Sequence, residues 1–269
     1  MGIRYSIRKK IQDQLYGSLR DDIAFLHIPK CGGTSLERAI RERFPAASRS
    51  GLVHIDARAS SLAAHKIHGL NYPYDTSDDT YVFDVYENIL LYYMAKPDTR
   101  FVAGHFAMSD KALRSHGERF AFITFLREPV SRWISSYFFN RYTDTHRKIE
   151  MPLEEYLESD FGKSQGYEYV KFIGGASRGR DYRSKESIDR AKRNLDLIEV
   201  AGAHEHQATF LRQFQKRFGV KLRIDRLNRG PVTDKKRDAR ITPEIRKKIE
   251  EICEPDIAVY KHFIDRFVR

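Results

Sequence analysis

The most constraining stretch of this sequence is a junction. Ile23-Ala24-Phe25-Leu26-His27-Ile28 is a short apolar run of strand type that stops at Pro29. Lys30, Cys31 and the pair Gly32-Gly33 follow, and Thr34 and Ser35 open a helical pattern. Leu36, Ala39, Ile40 and Phe44 recur at i, i+3, i+4 and i+8, with Pro45 as the stop. Two glycines allow a tight turn, and a helix that starts directly after them directs its unpaired N–H groups and positive dipole end into the loop. Lys30 adds a mobile cation, and Thr34 and Ser35 add hydroxyl donors. These residue types suit a phosphate or a similar tetrahedral anion. An ordinary Gly-rich strand-to-helix turn has the same local pattern, so this segment alone leaves both readings open. It is not the nucleoside-triphosphate loop G-x-x-x-x-G-K-[ST], in which Lys follows the glycines; here Lys30 precedes them.

A second junction has the same form. Phe120 to Leu126 is strand-like and feeds Arg127-Glu128-Pro129, then a helix with Val130, Trp133, Ile134, Tyr137 and Phe138 on one face. Ser135 lies off that face, and an Arg beside a Ser can grip a second phosphate by charge and hydroxyl. A surface Arg and Ser on an amphipathic helix is the plain alternative. Leu197 to Ala201 reads as a third strand, followed by a helix carrying Phe210, Leu211, Phe214 and Phe218. Buried strands that each lead into a helix predict an α/β fold, a P-loop-like parallel sheet flanked by helices in a single domain. That domain is expected over 23–269, with 45–100 as a substrate-site insertion of poor periodicity. Ile257, Tyr260, Ile264 and Phe267 form the stripe of a closing helix.

Composition narrows the partners. The chain has 269 residues, enough to bury a sizeable core, and 12% aromatic residues, which excludes a disordered chain. Two cysteines, Cys31 and Cys253, exclude a disulfide scaffold and fit a reducing, cytoplasmic setting. A net charge of +11 points to anionic partners: nucleic acid, acidic membrane or a phosphorylated small molecule. From Gln207 to Glu250 there are 14 Lys+Arg against 5 Asp+Glu, so most of the surplus is local. Residues 1–22 read as a basic amphipathic helix, with Ile3, Ile7, Ile11 and Leu15 in one stripe; it either packs on the domain or lies on a membrane surface. The opening Met1-Gly2-Ile3-Arg4-Tyr5-Ser6 also fits the loose myristoylation pattern.

Together, His27-Ile28-Pro29-Lys30-Cys31-Gly32-Gly33-Thr34-Ser35 and Arg127-Glu128-Pro129-Val130-Ser131-Arg132-Trp133-Ile134-Ser135-Ser136-Tyr137 resemble the two nucleotide motifs of sulfotransferases that use 3′-phosphoadenosine 5′-phosphosulfate (PAPS). The likeness is to the carbohydrate branch, whose loop commonly reads H-x-P-K-T-G-G-T-S and whose second element reads R-[DE]-P-x-x-R-x-x-S-x-Y. The order of the two motifs and their strand–helix setting match as well. Weaker similarity continues through Val200-Ala201-Gly202, Leu227-Asn228-Arg229-Gly230 and the helix from Asp256 to Tyr260. Cys31 departs from the frequent Thr; a small polar residue should preserve the loop, and a thiol near a helix N-terminus can gain thiolate character.

The resemblance implies roles. Lys30, Cys31, Gly32, Gly33, Thr34 and Ser35 would cradle the 5′-phosphosulfate, with Lys30 also stabilising charge on the bridging oxygen. Arg127 and Ser135 would hold the 3′-phosphate, and Arg229 would add a contact from a loop that closes over it. No metal is implied. The acceptor would be a hydroxyl, on a glycan by the branch resembled, with a lipid, a small alcohol or a protein tyrosine as the alternatives.

An acceptor alcohol needs a base, and His titrates in the useful range. His105, after the strand-like Phe101-Val102-Ala103-Gly104, resembles the G-H element that supplies it in some glycan sulfotransferases; a structural His at a strand end is the alternative. His54 is the next candidate, with Asp56 available to orient it. His27 suits a supporting role. Because other sulfotransferases use Glu, Glu87 and Asp84 stay open as bases. Tyr72, Tyr74, Tyr81, Tyr86, Tyr92 and Tyr93 could stack on sugar rings or equally belong to the core. Two other classes compete: a P-loop small-molecule kinase, which would need Lys after the glycines and acidic Mg²⁺ ligands, and a non-catalytic basic protein that binds nucleic acid or membrane.

Overall fold

The computed structural model describes residues 14–69, 80–143, 148–224 and 240–269. Five strands and their helices follow in chain order: β1 (Asp22–Leu26), α1 (Gly33–Arg41), β2 (Leu52–Ile55), α2 (Ala57–His68), α3 (Thr80–Ala95), β3 (Phe101–Gly104), α4 (Asp110–His116), β4 (Phe120–Leu126) and α5 (Pro129–Tyr142). Then come α6 (Leu153–Glu158), α7 (Asp160–Ser164), α8 (Glu168–Gly174), α9 (Lys185–Asp196), β5 (Val200–Ala203), α10 (Gln207–Phe218), α11 (Pro243–Ile252) and α12 (Glu254–Phe263). The sheet order is β2-β3-β1-β4-β5, and every pairing is parallel. The chain is thus an α/β fold built on an all-parallel sheet flanked by helices, as its apolar strand runs predict.

Alternation along the strands splits the core into two faces. Ile23, Phe25, Phe101, Ala103, Ile123, Phe125 and Val200 pack with Leu36 and Ile40 of α1 and Phe210, Phe214 and Phe218 of α10. Ala24, Leu26, Val102, Phe122 and Ala201 pack on the other face against Leu90 and Met94 of α3, Tyr169 and Val170 of α8, and Val259 and Phe263 of α12. Each fully buried Phe or Leu contributes ~1.5–3 kcal/mol relative to exposure, and both faces draw on that gain. Thr124, the one polar residue within β4, is fully buried, and its hydroxyl donates to the Leu26 carbonyl at 2.9 Å. The predicted face of α5 is all buried, against Tyr156 and Leu157 of α6 and Ile249 of α11.

Several expectations need correction. The stretch 45–100 is not merely an insertion: Leu52–Ile55 is the edge strand of the sheet, too short and too exposed on one side to show an apolar run. The third strand read at 197–201 lies at Val200–Ala203, because Leu197 is 57% exposed and ends α9 instead. The expected closing-helix stripe of Ile257, Tyr260, Ile264 and Phe267 does pack on the core but is only half-buried; the fully buried seam of α12 is Asp256, Val259 and Phe263. The N-terminal helix falls almost entirely outside the described residues; its described remainder, Gln14 to Tyr16, ends at Gly17, whose φ is +82°. No described helix is long and apolar enough to cross a membrane.

Candidate active site at the C-terminal sheet edge

From β1 the chain leaves toward β2, and from β4 it leaves toward β5, on opposite sides of the sheet. β1 and β4 are hydrogen-bonded neighbours, so their exit loops diverge and open a crevice between them, the usual ligand position in open α/β sheets. Both sequence motifs sit at that crevice.

On the β1 side, Lys30 takes φ +67°, a left-handed backbone rare for a residue with a side chain, and Gly32 takes φ +85°. Gly32 is the N-cap of α1, offers no side-chain cap, and is followed by no acidic residue in the first turn. The first N–H groups of α1 therefore open toward the crevice with Thr34 exposed among them and Ser35 half-buried. Gly33 admits no side chain, because a Cβ there would lie 2.3 Å from His27 Cδ2. Lys30 is less mobile than its sequence position implies: its ammonium lies 2.9 Å above the Phe139 ring centre, and burial lowers its pKa to about 8. Cys31 departs from expectation more sharply. Its thiol is fully buried, 3.5 Å from the Tyr169 hydroxyl, and burial pushes its pKa up to about 12, so the helix end confers no thiolate character. Cys253 is buried too, at the α11–α12 joint.

On the β4 side, the Tyr169 hydroxyl donates to the Arg127 carbonyl and accepts from the Arg127 N–H at 3.0 Å. Arg127 Nε is buried and has no hydrogen-bond partner among the described residues, so a donor stands ready for an anion. Glu128 closes the other helix end: its carboxylate accepts from Val130 N at 2.9 Å and Ser131 N at 2.8 Å. Ser135 is half-buried, and Phe139, one turn further along the same face, carries the contact to Lys30. Arg132 is fully buried, donates to the Gln165 carbonyl and is held charged by Glu168 and Asp256 despite burial. Asp256 also accepts from Tyr169 N at 2.8 Å and Val170 N at 3.2 Å, which fixes the start of α8 and with it the Tyr169 ring.

The histidines meet by sheet register. His54 and Phe25 both pair with Ala103, and His27 and His105 stand two residues beyond Phe25 and Ala103. All three therefore face the side covered by α1. The rings of His27 and His105 are 4.8 Å apart, edge to face, and His105 Nδ1 donates to the His27 carbonyl. That bond fixes the tautomer, since a carbonyl only accepts; a neutral His105 carries its lone pair on Nε2. Asp56 does not orient His54. It caps α2 by accepting from Ala59 N at 2.6 Å, and Glu37 of α1 takes the orienting role, with carboxylate oxygens 3.0 and 3.1 Å from His54 Nδ1. The same carboxylate is 3.6 Å from His27 Nδ1 and 3.6 Å from Arg41 Nη1. Burial opposes the Glu37 charge, but the neighbouring His27 ring, 3.6 Å away, and the hydrogen bond from His54 outweigh it and hold the carboxyl down at about 2. The hydrogen bond to Glu37 in turn raises the pKa of His54.

Glu87 and Asp84 lie on α3, which packs on the opposite face of the sheet from the histidines. Glu87 is occupied by the Ser109 hydroxyl and the Lys111 ammonium, each at 2.6 Å. Tyr81 and Tyr86 belong to the core, Tyr92 is exposed, and Tyr72 and Tyr74 are outside the described residues. Arg229 also lies outside them.

Sequence reasoning missed Glu37, Phe139, Tyr169 and the pair His204-Glu205. The last two follow β5; a Cβ on Gly32 would lie 3.6 Å from His204 Cδ2, and Glu205 accepts from Glu128 N at 3.0 Å. Glu37 had a signal, because a carboxylate beside Leu36 and Ile40 on the buried stripe of α1 requires buried partners. Tyr169 had none, since only the tertiary fold brings α8 beneath both loops. No family model matches the sequence, and no curated protein is significantly similar to it.

Proposed function

We propose that this chain is a PAPS-dependent sulfotransferase acting on an acceptor hydroxyl of a carbohydrate. One observation carries the reading: an uncapped helix N-terminus and a buried, unpartnered Arg127 Nε stand at the diverging ends of neighbouring parallel strands. Two separated anionic groups on one ligand fit that pair of features, and the order of the motifs matches the resemblance. The carbohydrate acceptor follows from the likeness of the loop to the glycan branch.

PAPS supplies an activated sulfuryl group for in-line transfer to the acceptor. The N–H groups at Gly32, Gly33 and Thr34, with the Thr34 and Ser35 hydroxyls, would hold its 5′-phosphosulfate. Lys30 would offset negative charge as it grows on the leaving oxygen, a stabilisation made mainly in the transition state. Arg127 and Ser135 would hold the 3′-phosphate. His105 would take the acceptor proton on Nε2, with its ring set by the His27 carbonyl.

Thermal shift with the desulfated nucleotide (PAP), PAPS and ATP–Mg²⁺ tests the reading, followed by labelled-sulfate transfer across an acceptor panel. PAP and PAPS should raise Tm and ATP–Mg²⁺ should not. Arg127→Ala should weaken PAP binding ~10–100-fold, the worth of a charge-assisted hydrogen bond. Stabilisation by ATP–Mg²⁺ alone would replace the reading with a kinase, and tight salt-sensitive nucleic-acid binding with no PAP response would replace it with a charge-driven binder.

A further inference from the structure

His54 and His105 stand on the same face of the sheet, and their Nδ1 atoms have different partners. His54 Nδ1 faces a buried carboxylate with both oxygens in reach; His105 Nδ1 faces a backbone carbonyl. We infer that Glu37 is a positioning residue that gives the two opposite roles, holding His54 as a hydrogen-bond donor to the acceptor and leaving His105 as the base. The inference rests on the sulfotransferase reading above.

The physical difference lies in the charge of the partner. A carbonyl orients an imidazole without much penalty for its neutral form, so His105 can cycle through a protonation. An ionised carboxylate at 3.0 Å favours the imidazolium and raises the pKa of His54, whose side chain is 43% exposed; an imidazolium carries a donor N–H on Nε2 as well as on Nδ1. The charged and titratable groups around His54 are Glu37 and Arg41 of α1, His27 after β1 and Asp56 before α2. Arg41 lies 3.6 Å from one Glu37 oxygen, donates through Nη2 to the Leu52 carbonyl at 2.9 Å, and its charge opposes protonation of His54, an effect smaller than that of the Glu37 hydrogen bond. The His27 ring packs on His105, edge to face.

The proton balance is simple. A bond forms between the acceptor oxygen and sulfur while the bond from sulfur to the nucleotide phosphate oxygen breaks, and its electron pair stays on that oxygen. The acceptor proton passes to His105 Nε2 and then to water. His54 exchanges no proton in the cycle; its donated hydrogen bond aligns the acceptor.

Two readouts test this. In the full chain, histidine NMR titration should show His54 protonated to higher pH than a free imidazole. In Glu37→Gln that midpoint should fall toward the free-imidazole value, with His105 nearly unmoved. In transfer assays His105→Ala should lose ~100-fold or more in kcat, together with the rising limb of the pH profile. His54→Ala should instead raise the acceptor KM ~10-fold, keep that limb and lose far less kcat, and His54→Gln should recover part of the KM because an amide still donates. A His54→Ala variant that loses kcat as fully as His105→Ala overturns the inference, as does a His54 midpoint indifferent to Glu37→Gln in an active enzyme. A wild-type chain that binds PAP and moves no sulfate to any acceptor instead removes the sulfotransferase reading, whatever the titration shows.

Discussion

The Lys30 ammonium rests 2.9 Å above the centre of the Phe139 ring, so the loop after β1 and the helix after β4 touch through one cation–π contact. This contact seats the cation beside the crevice, and the left-handed Lys30 backbone turns the side chain toward it. On the proposed reading, Lys30→Ala should cut kcat ~100-fold or more while PAP affinity changes little, because the charge would act on the leaving group. Lys30→Gly should be inactive yet more stable by about 1 kcal/mol, since glycine adopts φ +67° without the Cβ penalty. Labelled-sulfate kinetics and urea unfolding check both; a Lys30→Gly variant less stable than Lys30→Ala contradicts the backbone argument.

Tyr169 ties three elements at once, through Cys31 Sγ and both backbone polar groups of Arg127. Removing its hydroxyl leaves a buried N–H and C=O unpaired, which should cost ~1–3 kcal/mol. Tyr169→Phe is expected to lower Tm and weaken PAP binding through a displaced Arg127. Unchanged PAP affinity by calorimetry would show that Arg127 holds its position without this tie.

Gly33→Ala should destabilise the fold by ~1–3 kcal/mol, the usual cost of overpacking, because the new methyl meets the His27 ring. A double-mutant cycle with His27→Ala should be strongly non-additive, with the second change relieving the first. Additive losses would place the strain elsewhere.

Glu37 links stability to acidity. Its carboxyl is depressed in the folded state to about 2, so its contribution is fully present above the unfolded value of ~4.5 and is lost as pH falls toward 2. A depression of that size corresponds to ~3 kcal/mol. The stability gap between wild type and Glu37→Gln, read from denaturant midpoints, should be widest between about pH 5 and the free-imidazole value of ~6.5, closing below as Glu37 protonates and shrinking above as His54, whose pKa Glu37 raises, loses its proton. A gap independent of pH down to 3 would show that the carboxylate gains nothing from its two histidines.

Cys31 should react slowly with thiol reagents in the folded protein, because it is fully buried and its pKa is pushed up to about 12. Modification only on addition of denaturant is the expected result, and rapid labelling of native protein would contradict it.

Much of the frame was legible because long-range order here reduces to local pattern. The β1 and β4 runs are apolar on both faces, and each ends in a turn and a helix, so the parallel sheet and its two strand–helix junctions could be read directly. The edge strand β2 was not legible: Leu52-Val53-His54-Ile55 carries a histidine and has only one neighbouring strand to shield it. The histidines could be nominated singly, but their partners could not. Whether Asp56 or Glu37 orients His54 depends on α1 lying over the sheet, and Asp56 satisfies a local demand first, as a helix cap.

The chain leaves the sheet at Ile55 and returns at Phe101, on the strand immediately beside the one it left. Everything between is an excursion whose two ends are pinned by hydrogen bonds at the sheet. Lengthening or trimming its outer part should leave His54 and His105 where they are, because the ladder and not the path indexes them. On the proposed reading, an acceptor-facing wall could therefore be rebuilt by insertion or deletion while the proton chemistry keeps its address, the arrangement expected of a scaffold on which substrate range drifts faster than reaction type.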